Sequence, residues 1–235
     1  SGACDAVQAR ARITRLAEAE DGFGRSAYRL AATKCRRVIE SVLFFCGQYK
    51  LSPGAPLHAS PSSIVVRAED LWASGGGDGD RGSVERGSFR VGSSAVVIKF
   101  MRSRDQWRRE CIMRNLPVDG APSDETRPNL DPKLVMAAKA RGDAEFQAAA
   151  RREGRGDYVH GLVMEAAERN LLSVFQKENM SIDSVRFTMM QLGECLKHMH
   201  EMGVIHGDVK ATNAVRVTGT TSAASWKLVD LDAAT

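Results

Sequence analysis

The most constraining feature of the chain is a run of ten residues, Val204-Ile205-His206-Gly207-Asp208-Val209-Lys210-Ala211-Thr212-Asn213. It sits directly behind a long amphipathic segment, 181–203. That segment repeats Val185, Met189, Leu192, Leu196 and Met199 at helical spacing, with Ser181 and Asp183 at its start and Gly203 as its stop. The spacing predicts a helix whose four methionines, Met189, Met190, Met199 and Met202, pack in a core rather than form a metal or ligand box. Seventeen residues beyond Asn213, Asp230 follows the apolar Leu228-Val229 and precedes Leu231-Asp232. Any fold of this chain must present one polar loop at a helix end and an acidic residue at a strand end.

The loop resembles a protein-kinase catalytic loop, and that resemblance implies a transfer of phosphate. Such chemistry needs a carboxylate to orient an attacking hydroxyl, a cation beside the transferring group and oxygen ligands for Mg²⁺. Asp208, Lys210, Asn213 and Asp230 supply these in order.

The run with its spaced Asp230 resembles the eukaryotic protein-kinase family, whose catalytic loop reads H-R-D-x-K-x-x-N. Val96-Val97-Ile98-Lys99 looks like the family's V-A-I-K strand. The resemblance implies that Lys99 holds the α- and β-phosphates of ATP, with Glu110 of Trp107-Arg108-Arg109-Glu110 as its ion-pair partner. Leu162-Val163-Met164-Glu165-Ala166-Ala167 looks like the last small-lobe strand running into the hinge. By that match Met164 is the gatekeeper, the Glu165 carbonyl and Ala167 amide bond adenine, and Val65, Val97 and Val215 pack on the nucleotide. Asp208, Lys210 and Asn213 are then catalytic, and Asn213 and Asp230 hold Mg²⁺. Lys210, two residues after Asp208, is the Ser/Thr arrangement, so the implied substrate is a protein Ser or Thr hydroxyl. The implied fold is α+β and bilobal. A small lobe with an antiparallel sheet and one main helix covers about 60–167, and the start of a mainly helical large lobe covers 168–235. Residues 1–59 are expected to form a helical extension and linker.

Elsewhere the pattern is plainer. Residues 5–20 read as an exposed helix, and 28–50 as a second helix burying Leu30, Val38, Val42 and Phe45. The Pro/Ser/Gly-rich stretch 52–63 breaks the pattern. Ile64-Val65-Val66, Ala95-Val96-Val97-Ile98 and 159–164 read as strands, and 104–116 as a helix. The glycine-rich 74–88 reads as linker and 117–157 as an irregular charged insertion. His198 and His200 are two apart on a helix, which points them away from a common metal.

Three departures qualify the resemblance. Gly207 stands where the family has the Arg that pairs with an activation-loop phosphate. Leu231 and Asp232 replace the Phe and Gly of D-F-G. Counting back from Val65, the family's phosphate-loop glycines fall on His58, Ser60 and Ser63. The chain also stops three residues after Asp232, which reads as a kinase cut at its metal-binding strand. Two other readings stay open: a pseudokinase serving as a regulatory binding module, and a small-molecule kinase of the aminoglycoside or choline type, whose H-G-D-x-x-x-x-N loop fits His206 to Asn213.

Composition closes off other classes. Hydrophobic residues at 43% and charged residues at 26% argue against disorder, and a net charge of +4 supports neither nucleic-acid nor membrane-surface binding. No apolar run approaches bilayer length; Val42-Leu43-Phe44-Phe45-Cys46 is the most apolar stretch. Five scattered cysteines without a C-x-x-C pair argue against disulfide and zinc frameworks, and for a reducing, cytoplasmic setting.

Overall fold

The computed structural model describes residues 2–20, 26, 30, 33–72, 95–118, 127–218 and 224–235. The expected glycine-rich linker 74–88 lies outside the described residues, as do parts of 28–50 and 117–157.

Among the described residues two helices come first, α1 (Gly2–Glu18) and α2 (Thr33–Leu43). The second is shorter than the sequence pattern predicts. Cys46 and Gly47 both take positive φ, 50° and 61°, and turn the chain into strand β1 (Tyr49–Leu51). Leu30 and Val38, expected on a buried face, are 56% and 65% exposed. The apolar anchor is instead the turn. Phe45 packs edge-on against Phe100 and Phe146 with ring centroids 5.3 and 5.2 Å away, and Tyr49 is buried beside them. Arg10 ties α1 to this region, pairing with Glu153 at 2.6 Å and donating to the Leu43 carbonyl at 2.8 Å.

β2 (His58–Ala59) follows inside the stretch read as a break, then β3 (Ser63–Asp70) and β4 (Ala95–Met101). β3 pairs along its length with β4, while β1 and β2 pair with its two ends. Next comes α3 (Arg104–Met113), capped by Ser103, whose hydroxyl accepts from Gln106 N–H. The insertion 117–157 is more ordered than its composition predicts. It carries β5 (Ala138–Arg141) and α4 (Ala144–Arg152). Asp143 caps α4 through Phe146 N–H at 2.8 Å, and Phe146, Ala149 and Ala150 give it one apolar face. That face closes over β6 (His160–Glu165), where Gly161 is required: a Cβ there would stand 2.4 Å from the Phe146 ring. The sheet runs β1-β3-β4-β6-β5 and is antiparallel throughout.

β7 (Arg169–Asn170) opens a second, three-stranded sheet and leads into α5 (Leu171–Lys177) and α6 (Ile182–Glu201). Ser181 caps α6 through Ser184 N–H at 3.1 Å, and Gly203, at φ +73°, ends it. The buried stripe of α6 is rotated from the expected one. Thr188, Cys195 and Met199 are buried, whereas Met189 and Met190 stand 56% and 65% exposed and Met202 is also exposed. Of the four methionines read as core, Met199 alone is core. The reason is that α6 packs on strand β9 (Ala224–Leu228) along one side only, with Cys195 Sγ 3.6 Å from the Trp226 carbonyl. β8 (Ala214–Thr218) pairs with both β7 and β9. The architecture is α+β, with a sheet-rich first part and helices later, the kinase-like class that the resemblance implies. Among the described residues no helix is long and apolar enough to cross a membrane.

Candidate active site

The site lies where the two sheets meet. Val97 of β4, Met164 of β6 and Val215 of β8 are buried in one apolar cluster, with Val65 and Ala167 half-buried against it. All five were singled out from the sequence. Met136, Ala138, Ala166, Val217 and Val229 complete the cluster and were not.

The backbone of residues 165–168 follows from strand alternation. Ala166 N–H donates to the Ala95 carbonyl at 3.2 Å, which makes 95 and 166 a hydrogen-bonded pair. Val96 and Glu165 are then a non-bonded pair, so the Glu165 carbonyl turns away from β4. Glu168 N–H is committed to the Arg216 carbonyl at 2.8 Å. Between those anchors, Ala167 N–H has no backbone partner among the described residues.

Below this cluster, Lys99 is only 7% exposed, and its ammonium meets Glu110 Oε1 at 2.5 Å and also Asp230. Burial pulls its pKa down, but the two carboxylates more than reverse this and hold it above the ordinary lysine value. Glu110 is fully buried and has a second cation, Arg114, at 2.7 Å. Arg114 also donates to the Met136 carbonyl at 3.1 Å and the Glu110 carbonyl at 3.2 Å. Sequence reasoning missed Arg114, although its position four residues after Glu110 on a helix was the available signal.

The polar loop is built from below. His206 is buried, with Nε2 3.0 Å from the Val229 carbonyl, while Asp208 N–H donates to Nδ1. Those partners require the Nε2-protonated tautomer. Asp208 Oδ2 accepts from Lys210 Nζ at 2.5 Å and from Asn213 Nδ2 at 3.0 Å. The Lys210 hydrogen bond holds the Asp208 carboxyl below the usual carboxylate range, and the same contact raises Lys210. Asn213 Nδ2 also reaches the Asp208 carbonyl, and the Asn213 carbonyl accepts Val229 N–H, both at 3.0 Å. This brings Asn213 beside Asp230, which takes φ +69°. Asp232 is partly buried, and burial followed by the Asp230 charge pushes its pKa up. Leu231 is fully buried in the core under α6.

The donor set fits Mg²⁺. Asn213 spends its amide nitrogen on Asp208, so its amide oxygen is left for a cation, and its backbone carbonyl binds Val229 N–H, one residue before Asp230. Two hard oxygen ligands suffice for an ion that keeps several waters and takes phosphate oxygens. Among the described residues no group of three or more His, Cys, Asp or Glu side chains could hold a metal, and His198 Nε2 accepts Asp131 N–H at 2.8 Å instead.

Sequence reasoning also missed a cluster beside the hinge. Arg216 meets Glu168 at 2.8 and 3.2 Å and Glu178 at 2.7 and 2.8 Å, and Lys227 meets Glu165 at 3.0 Å.

The family model for the protein kinase domain matches residues 146–235. That stretch includes the hinge, the 204–213 loop and Asp230, and leaves Val65, Val97, Lys99 and Glu110 outside it. The match supports the protein kinase family, and with it phosphotransferase chemistry in general. Comparison with curated proteins gives no match.

Proposed function

We propose that the chain carries an ATP- and Mg²⁺-dependent site for phosphoryl transfer to a protein Ser or Thr hydroxyl. The observation that carries this reading is Lys99. A buried lysine is costly unless it is paired, and here Glu110 of α3 and Asp230, which follows β9, hold it two residues along β4 from Val97 of the apolar cluster.

The roles follow from position. The apolar cluster of Val65, Val97, Met164 and Val215 takes the adenine, whose edge meets the Glu165 carbonyl and Ala167 amide. Lys99, oriented by Glu110, faces the α- and β-phosphates. Asp208 is the carboxylate that orients the substrate hydroxyl and accepts its proton. Lys210, already bonded to Asp208, places a cation beside the transferring group. Asn213 and Asp230 are the oxygen ligands for Mg²⁺, which when bound neutralises charge on the phosphate oxygens. The corresponding division is a helical extension over 1–59, a small lobe over about 60–167 with its sheet reaching back to Tyr49, and a large-lobe portion from 168.

The test is ATP/Mg²⁺-dependent phosphorylation of mixed protein substrates by the full chain, by Asp208→Ala and by Lys99→Met. Activity lost in both variants supports the reading, and equal activity in all three rejects it. Asp232, in place of a glycine, favours a second reading, a nucleotide-binding regulatory module. Nucleotide binding without transfer in any of the three proteins selects that one.

A further inference from the structure

The turn between β2 and β3 covers the position where a glycine-rich phosphate cradle would sit, and its hydrogen bonds are already spent. Leu57 N–H donates to the Val65 carbonyl at 2.8 Å, which fixes the hairpin. Ser60 N–H donates to the Ser63 carbonyl at 2.8 Å. Ser63 N–H donates to Ser60 Oγ at 3.0 Å, and Ser60 Oγ lies 3.3 Å from both Ser62 Oγ and Ser63 Oγ. Pro61 has no N–H to give. The Ser62 carbonyl is held by Arg102 N–H at 3.0 Å, and Ser63 is buried. A phosphate cradle works by aiming several free backbone N–H groups at one anion. Of the four residues Ser60 to Ser63, only Ser62 keeps an uncommitted amide.

The floor of the site gives a second, independent observation. Lys99, Arg114 and Lys210 face three carboxylates, those of Glu110, Asp208 and Asp230, and each of the three cations is already ion-paired. An anionic phosphate arriving without a counter-ion meets no excess of positive charge there.

We propose that the β2–β3 turn is a closed serine clasp that does not hold phosphate, so that this chain recognises nucleotide phosphates only through a divalent cation on Asp230 and Asn213 together with Lys99. This rests on the reading of the apolar cluster as an adenine site. The turn, in place of gripping the nucleotide, serves as a rigid rim, and nucleotide and nucleoside are told apart by the metal.

The experiment is calorimetric titration of the full chain with adenosine, with ADP in EDTA, and with ADP in Mg²⁺. In EDTA, ADP and adenosine are expected to bind within about threefold of each other, and Mg²⁺ to tighten ADP by about tenfold while leaving adenosine unchanged. The same titrations on Ser60→Gly/Pro61→Gly, which unties the clasp, are expected to keep or raise the preference for Mg²⁺-ADP over adenosine. Ser60→Ala replaces the double variant if melting of the free protein shows it unfolded. A metal-free preference for ADP above about threefold, no tightening by Mg²⁺, or a preference that falls when the clasp is untied overturns the proposal. Failure of adenosine itself to bind rejects instead the reading of the apolar cluster on which the proposal rests.

Discussion

Gly207 and Ala233 lie so close that a Cβ on Gly207 would stand 2.4 Å from the Ala233 carbonyl oxygen. Two backbone hydrogen bonds between Ile205 and Thr235, 2.8 and 3.0 Å, draw the segments together, and burial of Leu231 and Ala234 fixes one side. Gly207 also takes φ +75°. A side chain here faces left-handed strain and a backbone atom that moves only if the whole 230–235 segment moves. The family's Arg is therefore not a neutral replacement at this position. Gly207→Ala is expected to cost about 2 kcal/mol in urea unfolding. Gly193→Ala, which meets open space on an exposed part of α6, is expected to stabilise by about 0.5–1 kcal/mol. Equal effects at the two sites would show that the close approach is not felt.

Arg114 is the residue that keeps Glu110 in place. It holds the carboxylate, its own helix and the chain before β5 at once, through Glu110 Oε2, the Glu110 carbonyl and the Met136 carbonyl. Removing it leaves a fully buried carboxylate with Lys99 as its one remaining cation. Arg114→Met is expected to destabilise by about 3 kcal/mol or more, and a cycle with Glu110→Gln to show a coupling of about 1–3 kcal/mol. Additive single effects in that cycle would contradict the direct role.

The site was more legible in the sequence than the scaffold around it. Asp208, Lys210, Asn213 and Asp230 are local: three share one loop, and chemistry restricts which residue types can do the work. That Val65, Val97, Met164 and Val215 share one cluster was reachable only through the resemblance, since apolar spacing alone cannot say which valines of distant strands pack together. What escaped was set by long-range packing. The α6 stripe is decided by distant residues of β9, of α5 and around Val135, so Met189 and Met190 keep a helical period yet face outward. Phe45 looked like the end of a helix face because its partners, Phe100 and Phe146, come from distant segments. The order in 117–157 was overlooked although α4 carries local signals, an Asp143 cap, an alanine-rich body and Arg151 and Arg152 in its last turn, because the charged residues around it read as loop. Arg216 had no local signal at all, as its carboxylates come from 38 and 48 residues away.

Arg216 of β8 braces the 165–168 segment. Its guanidinium engages Glu168 and Glu178 with paired contacts, its carbonyl accepts Glu168 N–H, and Arg169 adds a third arm to Glu178 at 2.8 Å. Lys227 to Glu165 ties the other end of that segment to β9. Since the cluster is partly exposed, its effect should appear in nucleotide affinity rather than in global stability. Arg216→Ala is expected to weaken adenosine binding by about three- to tenfold, with a smaller salt dependence than the wild type. Arg216→Lys should recover little, because an ammonium cannot serve both carboxylates in fork geometry. Unchanged adenosine affinity in Arg216→Ala would leave the cluster as surface decoration.

The pH response of the site should be governed by the Asp208–Lys210 contact. Lys210 holds Asp208 ionised to lower pH than an ordinary carboxyl, with Asn213 as a further donor. A carboxylate with a depressed pKa contributes stability that is present above its unfolded pKa and is lost as pH falls through the folded one. The same ionised form is the one able to orient and deprotonate a hydroxyl, so activity and this part of the stability should fall together on the acid side. Lys210→Gln removes the main cause of the depression and should move the acid limb to higher pH. A carboxyl-carbon NMR titration of Asp208 in the two proteins reads the shift without requiring turnover. An identical midpoint would mean that the hydrogen bond, though 2.5 Å long, does not set the charge state of Asp208.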